Sequence, residues 1–130
     1  MQEIRKMECG DGYTRADNGS IGVIEAKTAS YTVSALETGK VFTNRGTAAD
    51  ITFTLPAPVA GLRYQFQKAV IDKDIVITTS AAAVKIHGGS GATQGVTLTN
   101  AVDTEYAGIE VWCDGTSWYS RATLGAWTVS

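Results

Sequence analysis

His87, the one histidine of the chain, is the first candidate for chemistry, because imidazole is the commonest general acid or base in enzymes. It precedes the run Gly88-Gly89-Ser90-Gly91. A hydrolytic site would need a nucleophile and an orienting acid close to the imidazole, and the sequence indicates neither. A phosphate-binding loop would need Gly-Lys-Ser/Thr after the glycines, which this run lacks. We therefore interpret this segment as a flexible hairpin tip and expect no catalytic residues.

Acidic residues and a cysteine offer other kinds of chemistry. The acidic stretch at 72–74 has carboxylate oxygens, but calcium takes about six to eight oxygen ligands and no calcium-loop pattern surrounds the stretch. Cys113 together with His87 supplies fewer ligands than a structural zinc site uses. Glu105 and Glu110 have opposite parity, and such residues on a strand point to opposite faces. We expect no metal, no cofactor and no enzymatic activity.

Four large aromatic residues lie close together near the C-terminus: Trp112, Trp118, Tyr119 and Trp127. Exposed rings of this kind can stack on sugars, which would suit a glycan-binding site. Large aromatic side chains also fill hydrophobic cores and oligomer interfaces, where they contribute much of the contact energy. The sequence leaves these alternatives open.

Alternation of apolar and polar residues with a period of two predicts the strands that position these side chains. At 51–55, three apolar residues alternate with two threonines. At 109–113, Glu110 and Trp112 fall on the face opposite the apolar residues. Turn signals such as Asp114-Gly115 separate the runs. About nine or ten short strands with regular turns predict an all-β fold, a single compact sandwich, barrel or β-roll.

One short helical turn is predicted among the strands. Ser34 and Glu37 have the spacing of a capping box, in which each side chain bonds the backbone at the other position. Gly39 follows as a natural stop.

Composition excludes several classes of protein. A length of 130 residues predicts one domain, and 44% apolar with only 18% charged residues is unlike a disordered chain. The net charge is −2, and no three consecutive residues are basic, so we expect no nucleic-acid partner. No apolar run has the length of a membrane-spanning helix, so we expect no membrane association. The low charge also suggests that a partner covers part of the surface.

The sequence divides into two parts. Residues 1–28 mix acidic and basic residues with weak periodicity, which predicts an N-terminal arm for attachment or partner binding. Residues 29–130 carry the strand patterns and form the predicted β-rich module.

Five short stretches occur in order along the second part. They are Tyr31-Thr32-Val33, Gly39-Lys40-Val41-Phe42-Thr43-Asn44, Ile51-Thr52-Phe53-Thr54-Leu55-Pro56, Gly61-Leu62-Arg63-Tyr64-Gln65-Phe66 and Val111-Trp112-Cys113-Asp114-Gly115-Thr116-Ser117-Trp118. In this order they resemble a set of small virion proteins of tailed bacteriophages. The resemblance covers about residues 29–130. It implies a non-enzymatic β-rich module of a phage head, head fibre or tail fibre, commonly a homotrimer, with no cofactor and no catalytic residue.

Tail fibres of this kind place the module after a long shaft, whereas here residues 1–28 precede it. We therefore expect a capsid decoration or cement protein, made in the host cytoplasm and located in the virion. Its arm would contact the major capsid protein or another virion protein through Ile4, Arg5, Lys6 and Met7. Its β domain would self-associate, which also buries exposed sheet edges.

The alternative function is a receptor-binding module of a head or tail fibre. In that case the module would recognise a host-surface glycan through the aromatic cluster of Trp112, Trp118, Tyr119 and Trp127.

Overall fold

The structure, a computed structural model, describes residues 23–88, 90–91 and 94–130 and is almost entirely β within them. The all-β prediction is confirmed. The described residues form thirteen strands, more than the predicted number, because the short strands β1, β8 and β9 carry no clear alternation. The strands are β1 (Ile24–Ala26), β2 (Tyr31–Thr32), β3 (Val41–Thr43), β4 (Ile51–Thr54), β5 (Arg63–Gln67), β6 (Ile75–Thr78), β7 (Ile86–His87), β8 (Ser90–Gly91), β9 (Gln94–Gly95), β10 (Thr97–Asn100), β11 (Gly108–Cys113), β12 (Trp118–Leu124) and β13 (Thr128–Val129).

The strands form two mixed sheets. The first sheet has the order β1-β3-β5-β11-β12-β7-β9, and the second has the order β2-β4-β6-β10-β13-β8. From β1 to β6 the chain alternates between the sheets, and neighbours within each sheet are parallel. Each of the strands from β2 to β5 is thus part of the crossover between two parallel strands of the other sheet. Residues 24–78 therefore form a coil in which each turn contributes one strand to each sheet. The strands β10, β11 and β12, which follow in sequence, form antiparallel pairs.

The core lies between the two sheets, and the register places apolar residues opposite one another. In the second sheet Phe53 pairs with Ile77, and Ile77 with Leu98. In the first sheet Phe42 pairs with Phe66. The rings of Phe53 and Phe66 meet across the interior with centroids 4.9 Å apart, and aromatic pairs of this kind stabilise a core by about 0.5–1.5 kcal/mol beyond their buried area.

The predicted helical turn is present as a 3-10 turn at Ala35–Glu37. The Glu37 carboxylate accepts the Ser34 N–H at 2.9 Å, and the Ser34 hydroxyl accepts the Leu36 N–H at 3.2 Å. Gly39, with φ of +90°, then turns the chain toward β3. This local hydrogen bonding was readable from the sequence because it spans only a few residues.

A fully buried asparagine organises the connection from β5 to β6. The Asn44 side-chain oxygen accepts the N–H groups of Ala69 and Val70 at 2.6 and 2.8 Å, and its amide donates to the Val70 carbonyl at 3.1 Å. Asn100, at the end of β10, is equally buried and donates to the Ala126 carbonyl at 2.7 Å. Both asparagines follow a threonine at a strand end, a pattern visible in the sequence but without an evident role there.

The first strand, β1, falls inside the range 1–28 that the sequence assigns to the arm, and it pairs in parallel with β3. The proposed arm contacts Ile4, Arg5, Lys6 and Met7 lie outside the described residues. In the part of the chain that is described, no helix has both the length and the apolar character needed to cross a membrane.

Candidate binding site on the outer face of the first sheet

The side chains of the candidate site project from β5, β11 and β12, adjacent strands of the first sheet. In β11 the side chains of Ile109, Val111 and Cys113 are buried, whereas Glu110 and Trp112 point away from the core. This is the division that the period-two pattern predicts. We call the surface formed by these outward side chains the outer face.

Strand register brings residues that are distant in sequence into two rows on the outer face. The first row contains Arg63, Trp112, Tyr119 and His87, each paired with the next across neighbouring strands. The second row, two residues along each strand, contains Gln65, Glu110 and Arg121. Side chains directly opposite on adjacent strands have Cβ atoms about 4.5–5.5 Å apart, close enough for direct contact.

Glu110 is bound by two arginines. The Arg63 guanidinium donates to one carboxylate oxygen, and the Arg121 guanidinium donates to the other at 3.3 Å. The Glu110 side chain is only 13% exposed, whereas those of Arg63 and Arg121 are 60% and 71% exposed. Glu110 therefore anchors two guanidinium groups that remain accessible to a ligand.

A cavity of about 420 Å³ opens on this face, lined by Gly61, Arg63, Glu110, Trp112, Cys113 and Arg121. A second cavity of about 150 Å³ adjoins it, and both include Arg63 and Glu110 in their lining. The ion pair thus lies between the two cavities. The larger volume falls in the range of about 300–1,000 Å³ that is typical of small-ligand sites.

The aromatic side chains of the first row form the exposed apolar part of the outer face. Trp112 and Tyr119 are cross-strand partners, and each is 36% exposed. The His87 ring stacks on Tyr119 with centroids 5.1 Å apart and an interplanar angle of 21°. His87 thus contributes a ring surface to the row.

The Tyr119 hydroxyl is held by a tight turn. It donates to the Asp114 carboxylate at 2.9 Å, which raises the pKa of Tyr119. The other Asp114 oxygen accepts the N–H groups of Ser117 and Thr116, each at 2.8 Å. These two backbone bonds, followed by the tyrosine bond, lower the pKa of Asp114. Asp114 therefore stays ionised at neutral pH and fixes the tyrosine ring.

The four aromatic residues singled out in the sequence separate into two pairs. Trp112 and Tyr119 lie on the outer face, whereas Trp118 and Trp127 are buried in the core. The Trp118 ring packs near Tyr64 with centroids 6.0 Å apart, and the Trp127 indole N–H donates to the Gly108 carbonyl at 3.1 Å. Of these four aromatic residues, only Trp112 and Tyr119 are exposed enough to touch a ligand.

The alternation in the sequence places Glu110 and Trp112 on one face, but it does not single out Arg63 or Arg121. Arg63 is 47 residues from Glu110 along the chain, and only the pairing of β5 with β11 brings them together. Glu105 lies elsewhere and accepts the Ala126 N–H at 3.0 Å, so the two glutamates do not form a pair. Among the described residues, no group of three or more His, Cys, Asp and Glu side chains could hold a metal ion. The outer face can therefore offer a ligand three kinds of contact. The exposed rings of Trp112 and Tyr119 allow stacking, and the guanidinium groups of Arg63 and Arg121 supply positive charge and hydrogen-bond donors.

Comparisons with protein-family models, with curated proteins and with solved structures gave no match to this chain.

Proposed function

We propose that this chain is a non-enzymatic structural protein of a bacteriophage particle. It decorates the capsid, attaches through its N-terminal segment and self-associates through its β domain. The observation that supports this most is the position of β1 and β2. Among the described residues each is the terminal strand of its sheet, and both precede the rest of the coil in sequence.

Strands at the edge of a sheet carry backbone groups that can pair with another chain, and assembly buries them. At β1, Val23 and Ile24 are 54% and 71% exposed, so two adjacent apolar side chains lie on the surface there. The N-terminal segment that would contact the capsid therefore joins the domain next to these apolar side chains and next to a strand that could pair with another chain.

Charged side chains at the same end limit indiscriminate pairing. Lys27 and Lys40 both donate to the Glu25 carboxylate, at 2.6 and 2.7 Å. Lys40 also reaches Glu37 at 3.2 Å, and the Lys27 ammonium lies 3.7 Å from the centroid of the Tyr31 ring. We call these five residues the edge cluster. Charges on edge strands are a common protection against aggregation, and they restrict the edge to a complementary partner.

The experiment compares decoration of phage heads that lack this protein. A variant without residues 2–12 should fail to bind the heads, while circular dichroism shows a folded β domain. A control replaces the same residues with a Gly/Ser segment of equal length, which separates the effect of length from that of side chains. A second variant changes Ile4, Arg5, Lys6 and Met7 to alanine and should also lose occupancy. Wild-type occupancy by the truncated protein would contradict attachment through this segment.

A receptor-recognising module of a head or tail fibre is the second candidate, and the exposure of Trp112 and Tyr119 favours it. Purified protein should then bind host cells, and Trp112→Ala should reduce this binding without altering the thermal unfolding temperature. Tyr106→Ala is the matched control, because Tyr106 is 55% exposed and lines neither cavity. Cell binding that is equal for both variants would contradict a receptor site on the outer face.

A further inference from the structure

We propose that the outer face binds a saccharide that carries a carboxylate group, such as a uronic acid. One sugar ring packs on Trp112, and the carboxylate pairs with the guanidinium groups of Arg63 and Arg121. This inference rests on the receptor-recognising candidate and not on capsid attachment.

Trp112 supplies the apolar surface on which a sugar ring would pack. Burial of large aromatic surface is favourable, yet Trp112 projects from a central strand of the sheet and remains 36% exposed beside the larger cavity. Tyr119, its cross-strand partner, extends the exposed ring surface and is fixed in place by His87 and Asp114. The apolar C–H face of a pyranose ring can pack against such an aromatic surface.

The charged side chains that line the larger cavity do not balance. Arg63 and Arg121 contribute two positive charges and Glu110 contributes one negative charge, so the lining has a local excess of one positive charge. Each arginine contacts Glu110 through one terminal nitrogen of its guanidinium, and both arginine side chains are mostly exposed. The planar guanidinium fork suits a carboxylate, and the remaining donors suit sugar hydroxyls.

The topology argues against an extended peptide as the ligand. Strands β5 and β11, which carry Arg63, Glu110 and Trp112, each have a neighbour on both sides in the first sheet, so neither offers a free edge at the site. Peptide recognition by strand addition needs a free sheet edge. The outer face presents only side chains and a compact cavity, which suits a small ring compound.

The test uses tetragalacturonate and its methyl ester, which keeps the sugar rings and removes the negative charges. Tryptophan fluorescence reports binding, because Trp118 and Trp127 are buried and Trp112 is partly exposed. We expect a saturable change with tetragalacturonate that weakens as salt is added, since salt screens exposed charges. The ester should bind at least about tenfold more weakly, which corresponds to about 1.4 kcal/mol.

Matched variants assign the binding to the site. Trp112→Ala and Arg121→Gln should each weaken binding of tetragalacturonate by at least about tenfold. For these two, binding is followed by calorimetry, because Trp112→Ala removes the fluorescent reporter. The controls Tyr106→Ala and Arg45→Gln change an exposed aromatic residue and an exposed arginine outside both cavities, and both variants should bind normally.

Each contrary result has a distinct meaning. Equal binding of the acid and its ester overturns the role of charge. Unchanged binding by Trp112→Ala and Arg121→Gln overturns the site. If no binding is seen with tetragalacturonate or with a sialylated oligosaccharide, the acidic-saccharide inference fails. Host-cell binding that still depends on Trp112 would in that case preserve the receptor function.

Discussion

At the scale of residues, the environment of a side chain decides its role more than its chemical type. Trp118 and Tyr119 are neighbours in sequence, yet Trp118 is fully buried and Tyr119 is on the outer face. Trp112 shares the outer face because it pairs with Tyr119 across β11 and β12. Trp118 and Trp127 therefore belong to the core and Trp112 to the surface, and for Trp112 and Trp118 the alternation of side chains along their strands decides which.

This division predicts unequal effects on stability. Trp118→Ala removes a large side chain from the core and should lower the free energy of unfolding by about 3–5 kcal/mol. Trp112→Ala removes a partly exposed ring and should lower it by about 1 kcal/mol or less. Urea unfolding of both variants measures the difference. Equal losses would mean that Trp112 belongs to the structural core.

At the scale of elements, short strands depend on contacts at their ends. β1 has three residues and pairs only with β3 among the described residues, so the edge cluster is a main support for it. Donation from Lys27, and then from Lys40, lowers the pKa of Glu25 to about 2. Because this value lies below that of the unfolded chain, the ion pairs stabilise β1 above about pH 4.5 and are lost as the pH falls toward 2.

We therefore expect the Glu25 carboxyl group to titrate with a midpoint near 2 in a carbon-detected NMR experiment. Lys27→Gln should raise that midpoint toward the ordinary glutamate value, because the strongest hydrogen bond to the carboxylate is removed. Lys85→Gln, a change in a lysine outside the edge cluster, should leave it unaltered. A midpoint near 4.5 in the unmodified protein would show that the cluster does not form in solution.

In the turn after β7, the backbone at Gly88 lies very close to Ser120 of β12. Gly88 has φ of +104°, and a Cβ atom there would lie 2.5 Å from the Ser120 hydroxyl oxygen and 2.7 Å from the Ser120 carbonyl oxygen. Gly39 has φ of +90°, but a Cβ atom would meet nothing within 4 Å. Gly39→Ala should cost about 1–2 kcal/mol through backbone strain alone.

Gly88→Ala adds a steric clash, so its cost should exceed that of Gly39→Ala by about 1–3 kcal/mol. Chemical denaturation of the two variants tests this comparison. The Gly88 substitution should also disturb the ring contact between His87 and Tyr119, detectable as a change in their NMR chemical shifts. Similar stability of the two variants would rule out a tight approach at Gly88.

At the scale of the whole molecule, β1 and β2 are the outermost strands of the two sheets within the described part of the chain, at the N-terminal end of the coil. The proposed self-association would bury the outer edges of these strands, and the oligomer that we propose is a homotrimer. The native mass in solution should then be close to three times 13.7 kDa, measured by light scattering or native mass spectrometry. A stable monomer at high concentration would contradict self-association of the isolated protein.

The sequence by itself determined the β class, the inward and outward faces of most strands, and the capped turn at Ser34 and Glu37. These features depend on side-chain alternation and on hydrogen bonds between residues close in the chain. The buried role of Asn44 was less accessible, because its partners Ala69 and Val70 lie in another turn.

Only the tertiary structure decided the order of the strands, the parallel coils and the meeting of Arg63, Glu110 and Arg121. Alternation tells which face a side chain occupies, but it does not tell which strands are neighbours. Neighbours are chosen by packing across the core, where Phe53 meets Phe66 from the opposite sheet. The meeting of Arg63, Glu110 and Arg121 on the outer face is therefore a product of long-range strand pairing within the first sheet.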